Sequence, residues 1–158
     1  MTVPLPVRLR SVQALIPPAC SAVADIGAGH GALCATLATR GRMRVIATEA
    51  SAGPLAELRG NLEAWGMSGH VDVLWRGTDA AGPGEVDAAV VAGLGANTML
   101  EIVSDARSRR VRWLILQCMQ RDEMVVPWLD GRRWHVRASD VCVQRGRAYT
   151  ARLVEVGE

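Results

Sequence analysis

The chain contains no lysine and no phenylalanine, and only one tyrosine among 158 residues. With lysine absent, all 18 basic side chains are arginine. Each carries a planar guanidinium fork suited to phosphate, but so uniform a bias singles out no one arginine as a binder. No apolar run nears the roughly 20 residues needed to cross a bilayer, which excludes a membrane-spanning helix. The N-terminus holds Pro4, Pro6, Arg8 and Arg10 and no apolar stretch. That pattern excludes a secretory signal and makes the expected location cytoplasmic. Cys20, Cys34, Cys118 and Cys142 lie far apart with no C-x-x-C pair, so buried thiols are expected rather than disulfides or zinc. His70 and His135 sit beside turns and show no ligand spacing, and no metal is expected. The net charge of +2 gives little pull toward any partner.

What remains is a hydrophobic fraction of 49% and 16 glycines, enough for one domain over 1–158 with its own core. Apolar residues at 5, 9, 12, 15 and 16 make a helical stripe that Pro17-Pro18 stops. A short apolar strand is expected over 20–26, a helix over 32–39 closed by Gly41, and a buried strand over 44–48 ending at Glu49. Ser51 is the expected N-cap of a helix carrying Leu55, Leu58, Leu62 and Trp65, closed by Gly66. Further strands are expected over 71–74, 86–92 and 111–117, with helices over 97–107 and 124–129. Two roughly alternating runs, 134–143 and 149–156, flank Gln144-Arg145-Gly146-Arg147 and predict a hairpin.

Strand–helix alternation through five strands predicts an α/β fold with a parallel sheet and helices on both faces. A closing antiparallel hairpin distinguishes the class I S-adenosylmethionine (SAM) methyltransferase sheet from a dinucleotide-binding one. The expectation is therefore a Rossmann-like three-layer sandwich with seven strands, mostly parallel, ending in that hairpin.

The organising stretch is Ala24-Asp25-Ile26-Gly27-Ala28-Gly29-His30-Gly31. It lies between a strand and a helix, where glycines let backbone approach a ligand and free helix amides sit beside it. Glu49 ends the next strand; its carboxylate offers only acceptors, which suits the two hydroxyls of a ribose. Asp25, Gly27, Ala28, Gly29, Glu49 and Ala50 are the expected SAM-binding residues, with Thr78 or Asp79 at the adenine and Gly93 at the far side. Gly27-x-Gly29-x-x-Ala32 also fits the dinucleotide fingerprint. Asp25 just before the first glycine and the terminal hairpin favour SAM, and a chain without lysine offers no Tyr/Lys pair for nicotinamide oxidoreduction.

Gly93-Leu94-Gly95 follows the fourth strand, where two glycines allow close approach to a flat acceptor. Asn97 is either a polar contact there or part of a helix cap. His30 and Asn97 are the candidate catalytic side chains. Expected substrate contacts are Arg8, His30, Leu94, Gly95, Asn97, Arg121 and Arg145, the arginines meeting phosphates. Arg107, Arg109, Arg110 and Arg112 precede the fifth strand and are expected at the opposite end, as a solvated face.

Together these residues resemble the bacterial tRNA (adenine-N1)-methyltransferases of the TrmK type. The resemblance rests on Arg8-Leu9-x-x-Val12, Ile16-Pro17, Ala24-Asp25-Ile26-Gly27-x-x-His30, Glu49, Gly53-Pro54, Val90-Val91-Ala92-Gly93-Leu94-Gly95 and Leu114-Ile115-Leu116-Gln117. It runs from about Arg8 to Glu155 and implies methyl transfer from SAM to adenine N1 of tRNA. In that family an Asp stands where this chain has Gly29, and a Pro-Asn pair follows Gln where this chain has Cys118-Met119. The resemblance also implies a C-terminal helical domain that helps hold tRNA, which is expected to be absent here. Methylating N1 places positive charge on the ring, which a nearby carboxylate would stabilise; Gly29 supplies none. A SAM-binding module without catalysis is therefore the second reading, and a nicotinamide-dependent oxidoreductase a third.

Overall fold

A computed structural model of the chain describes residues 2–75, 85–106 and 110–158. Helix α1 (Val7–Leu15) leads to β1 (Ala22–Ile26), α2 (Ala32–Thr39), β2 (Arg44–Glu49), α3 (Ala52–Ala64) and β3 (Asp72–Trp75). There follow β4 (Ala88–Gly95), α4 (Ala96–Val103), β5 (Trp113–Gln120), a 3-10 turn (Asp122–Met124) and α5 (Val125–Gly131). The hairpin strands β6 (His135–Gln144) and β7 (Arg147–Glu155) close the chain. Among the described residues seven strands form one sheet, ordered β3-β2-β1-β4-β5-β7-β6. The first five run parallel, while β7 is antiparallel to both β5 and β6. An antiparallel strand inserted between the fifth and sixth places separates this sheet from the dinucleotide-binding order.

Strict alternation along the central strands builds two cores. Val23, Val45, Ala88, Val90 and Ile115 pack with Val12, Leu33, Leu37, Leu58 and Leu62 from α1, α2 and α3. Ala24, Ile46, Ala89, Val91, Leu114 and Leu116 pack on the other face with Met99, Leu100, Val125 and Leu129 from α4 and α5. The period of two has a consequence at the strand ends. It carries Asp25, Ala92 and Gln117 onto the α1–α2 face, one step beyond Val23, Val90 and Ile115. At the other end Asp87 accepts hydrogen bonds from the backbone amides of Ser21 and Ala22 (2.7 and 2.9 Å) and from the Ser21 hydroxyl (2.8 Å), fastening β1 beside β4.

Several boundaries differ from the sequence expectation for local reasons. Strand β4 continues through Gly95 because Gly93, at φ 82°, is an extra residue opposite β5. Register passes from Ala92↔Gln117 to Leu94↔Cys118 and then to Gly95↔Gln120, the signature of a bulge. Gly95, rather than Asn97, stands at the cap of α4, and Asn97 lies exposed in the first turn. Ser51 holds the N-cap place of α3 but makes no side-chain cap bond. The hairpin turn narrows to Arg145-Gly146, both at positive φ (49° and 75°), the conformation that matches strand twist in two-residue loops.

Gly31 joins β1 to α2 at φ 84°, and a Cβ there would lie 2.6 Å from Leu58 Cδ1. Leu58 is fully buried and has little room to yield. Gly29, at φ 57°, faces open space. We expect Gly31→Ala to destabilise the fold by about 2–4 kcal/mol, from left-handed strain and overpacking together. Gly29→Asp, a residue type that tolerates this conformation, should cost under about 1 kcal/mol. Urea denaturation of the two variants checks the contrast.

Candidate functional site

The turn after β1 is held by backbone rather than by side chains. Gly27 donates to Thr48 Oγ1 (3.4 Å), Ala28 donates to the Thr48 carbonyl (3.0 Å), and Gly31 donates to the Ala28 carbonyl (3.1 Å). Gly29 donates its amide to Glu49 Oε1 at 2.7 Å, which ties the loop to the acid ending β2. Gly27 and Gly29, at φ 69° and 57°, have no atom within 4 Å of where a Cβ would sit. Their bare faces open onto a cleft of about 550 Å³, within the range usual for small-molecule sites.

The cleft brings together many of the residues expected from sequence: Arg8, Asp25, Gly27, Ala28, Gly29, His30, Gly93 and Leu94 all line it. Glu49 belongs to it through Gly29, and Ala50 follows, its carbonyl accepting from the Trp75 indole N–H at 3.0 Å. Trp75 is two-thirds exposed at the end of β3. Gly95 and Asn97 are not among the lining residues. Arg121 is exposed just past β5, and Arg145 is exposed in the hairpin turn. The β5–β7 register puts both at the cleft end of the sheet. Arg110 and Arg112 precede β5 at the opposite end, where Arg112 pairs with Glu155 (3.4 Å). Thr78, Asp79, Arg107 and Arg109 lie outside the described residues.

His30 is exposed and leans on α3. Its Nδ1 lies 3.0 Å from Glu57 Oε1, and its carbonyl accepts from Asn61 Nδ2 (2.9 Å). Asn61 and Trp65 also line the cleft, as do Pro4 and Pro6; nothing in the sequence pattern separates them from an ordinary helix face and leader segment. Gln117 was missed for a different reason. It is 1% exposed, and its Oε1 accepts from Arg8 Nη1 at 2.5 Å. A polar residue closing the apolar run Leu114-Ile115-Leu116 was the available signal.

A family model described as a methyltransferase domain matches residues 5–151. This chain belongs to that methyltransferase-domain family. No curated protein matches the sequence. Among solved structures, the m1A22 tRNA methyltransferase TrmK of B. subtilis superposes with a TM-score of 0.87 at 25% identity, over 99% of this chain and 68% of that one. A Streptococcus pneumoniae protein assigned as a tRNA (m1A22) methyltransferase, in complex with S-adenosyl-L-methionine, gives 0.88 at 26% identity, over 98% and 74%. M. capricolum TrmK with S-adenosyl-homocysteine gives 0.82 at 20% identity, over 96% and 68%, a likeness of fold. Among the described residues no cluster of three or more His, Cys, Asp or Glu side chains is placed to hold a metal, and no helix is long and apolar enough to cross a membrane.

Electrostatically the methyltransferase cleft is organised around one buried acid. Asp25 is 5% exposed, and Cys34 Sγ donates to its Oδ2 at 3.2 Å. Burial raises its pKa to about 6, with the Cys34 hydrogen bond and Arg8 opposing and Glu49 adding to the rise. The same burial pushes the Cys34 thiol well above its ordinary value. Higher on the sheet, Arg152 grips Asp122 through two hydrogen bonds of 2.6 Å, and Cys118 Sγ donates to the same carboxylate at 3.2 Å. That grip fastens the segment after β5 to β7 and fixes the place of Arg121.

Asp25 binds its proton more tightly folded, at about 6, than the ordinary value of 3.8. It therefore contributes stability below the lower value, and that contribution is lost as pH rises through the higher one. Asp25→Asn keeps an acceptor for Cys34 and removes the buried charge. The variant should exceed the parent by about 2–3 kcal/mol near pH 8 and match it near pH 3.5. Urea midpoints measured across that range check both the size and the direction.

Proposed function

We propose that this methyltransferase domain uses S-adenosyl-L-methionine as methyl donor and acts in the cytoplasm on tRNA, at N1 of an adenine. The observation that carries the donor assignment is the open cradle over Gly27 and Gly29 with Glu49 beside it. Side chains at those two positions would occupy the space the loop leaves free, and Glu49 presents acceptors only, as ribose hydroxyls require. When bound, the donor's sulfonium supplies a methyl group already activated for transfer. The chain's own task is then placement: the Gly loop and Glu49 hold the nucleoside, and the acceptor enters beside the Gly93 bulge, on which the Arg8 guanidinium rests. Holding donor and acceptor together in this way can itself lower the barrier by several kcal/mol.

The tRNA and adenine assignments draw on the neighbours named as tRNA (m1A22) methyltransferases at 25–26% identity. Exposed Arg121 and Arg145 at the cleft end suit phosphate contacts, which give affinity without reading sequence. His30, which lines the cleft beside α3, would touch the acceptor from that side; Asn97 and Gly95 would meet it only at the margin. Thr78 and Asp79 remain the proposed adenine contacts of the donor. A second reading, SAM binding without transfer, is favoured by the lack of a free carboxylate in the cleft: Gly29 brings none, Asp25 is nearly enclosed, and Glu49 is engaged by the loop amide.

Calorimetry should show binding of SAM and none of NAD, with Glu49→Gln weakening SAM by about 10–100-fold, the range for a charged hydrogen bond. Labelled methyl from SAM should pass to unmodified tRNA, with nucleoside analysis returning 1-methyladenosine. Label on another nucleoside would overturn the adenine assignment, and SAM binding with no transfer to any RNA would leave the non-catalytic reading standing.

A further inference from the structure

The two edges of the sheet are unlike. At one, β3 is four residues long, and its Asp72 accepts from Arg44 Nε at 2.7 Å. At the other, β6 runs for ten residues, and among the described residues no strand pairs with its outer side. Alternate N–H groups along such an edge point away from the sheet. A strand of this length covers about 30 Å, and here it leads from the base of the sheet to the cleft end.

The long edge is also basic. Between Arg132 and Arg147 the chain has five arginines and one acid, Asp140. Arg145 and Arg147 stand at the hairpin turn beside the cleft: the Arg8 amide donates to Gln144 Oε1 (3.4 Å), and Arg8 lines the cleft. Arg132 and Arg133 stand at the base, just before β6. All four are exposed, and among the described residues none of them makes an ion pair. Arg132 lies over the Trp128 ring at 3.5 Å and Arg147 near the Tyr149 ring at 5.8 Å; stacking of this kind restrains a guanidinium while leaving it charged. Arg137 is paired with Glu155 (2.7 Å). Asp140 is turned to α1, where it accepts from the Ser11 hydroxyl. Between the two ends Val141 and Val143, 61% and 65% exposed, carry no charge of either sign.

Charge decides the occupant. A second copy laid edge to edge in antiparallel sense would set the Arg132–Arg133 end of one strand against the Arg145–Arg147 end of the other, and like charges would face each other. A polyanion meets both ends favourably. Nucleic-acid strands carry a phosphate every few ångströms, and outward N–H groups add neutral donors to the same oxygens. We infer that the outer edge of β6 is a track for the sugar–phosphate backbone of an RNA stem, entered at the Arg145–Arg147 turn and followed down to Arg132 and Arg133. This rests on the RNA reading and extends it. The nucleotide to be modified lies in the cleft, and the stem adjoining it runs along the hairpin. Contacts to phosphate orient the RNA and give affinity without reading its sequence.

Fluorescence anisotropy on the full chain tests it with two stem-loops that share a loop, one with a stem of about four base pairs and one of about twelve, at roughly 3 Å per pair. Only the longer stem reaches the base of the sheet, and the parent should bind it more tightly. Arg132→Gln combined with Arg133→Asn should weaken the longer stem by about 3–20-fold and the shorter by less than about twofold. The double variant should also flatten the salt dependence of the longer stem by about 1.5 in log–log slope. Arg147→Gln, at the upper end, should weaken both stems. Arg133→Asn alone removes no stacked ring and no ion pair, and asparagine tolerates the left-handed backbone there (φ 59°). It should weaken the longer stem alone by about 2–5-fold, which keeps the test decisive should the double variant fail to fold. Equal losses on the two stems, or no loss on either, would overturn the track. So would sedimentation of the parent as a dimer that Val141→Arg breaks, which would give the edge to a second copy. If the parent bound neither stem, the RNA reading itself would fall, and the track with it.

Discussion

The passage from β1 into α2 depends on one contact between backbone and core. Gly31 rests on Leu58, which is itself buried under α2 and α3 among Leu33, Leu37 and Leu62. Because the helix starts that close to the core, the preceding residues must turn sharply, and Gly27, Gly29 and Gly31 all take left-handed conformations. Those conformations aim the loop amides at Thr48 and Glu49 and leave bare backbone facing the cleft. The shape of the cleft is thus set by how tightly α2 packs on α3 and the sheet.

A second constraint is the parity of the sheet. Residues two apart on a strand share a face, so the apolar run that builds the α1–α2 core ends, on successive strands, in Asp25, Ala92 and Gln117. Two of these are polar and nearly enclosed. Burial raises the pKa of Asp25 to about 6 and so disfavours its charged form. Gln117 costs less, since its amide oxygen and one N–H both find partners. Helix α1 covers this row and brings Arg8 over it. It is fastened to the hairpin through the Ser11 hydroxyl on Asp140 and the Arg8 amide on Gln144 (3.4 Å), so the terminal strands hold α1 in place over the cleft.

Charge is divided by depth. Arg121 and Arg145 stand exposed at the cleft end, both in left-handed backbone, where salt screens their charge. Arg8 lies lower, oriented and partly desolvated, where a single charge acts strongly and specifically. Arg112, at the far end of the sheet, is spent on Glu155 and on the face of Trp113 at 5.0 Å. A chain whose every cation is arginine reads as uniform along the sequence, and the fold gives those arginines different work.

Much was legible in the residues alone, because it follows from local chemistry. Helix α2 over 32–39, the hairpin around Arg145-Gly146, the glycine loop and the acid Glu49 are written in apolar periodicity, turn residues and strand ends, each a short-range property. The likeness of the Asp25 and Gly93 stretches to a known methyltransferase family was legible for the same reason: both are contiguous segments. Only the tertiary structure decided the rest. Gln117 and Arg8 are separated by 109 positions in the chain, and no periodicity predicts that they meet. The Gly93 bulge depends on pairing with β5, the fit of Gly31 depends on Leu58 from another helix, and the exposure of Trp75 depends on its place at the end of an edge strand. Sequence pattern determines which residues can form an element and which face it buries; which distant groups converge on a cleft is fixed by strand order and register, and those are properties of the whole sheet.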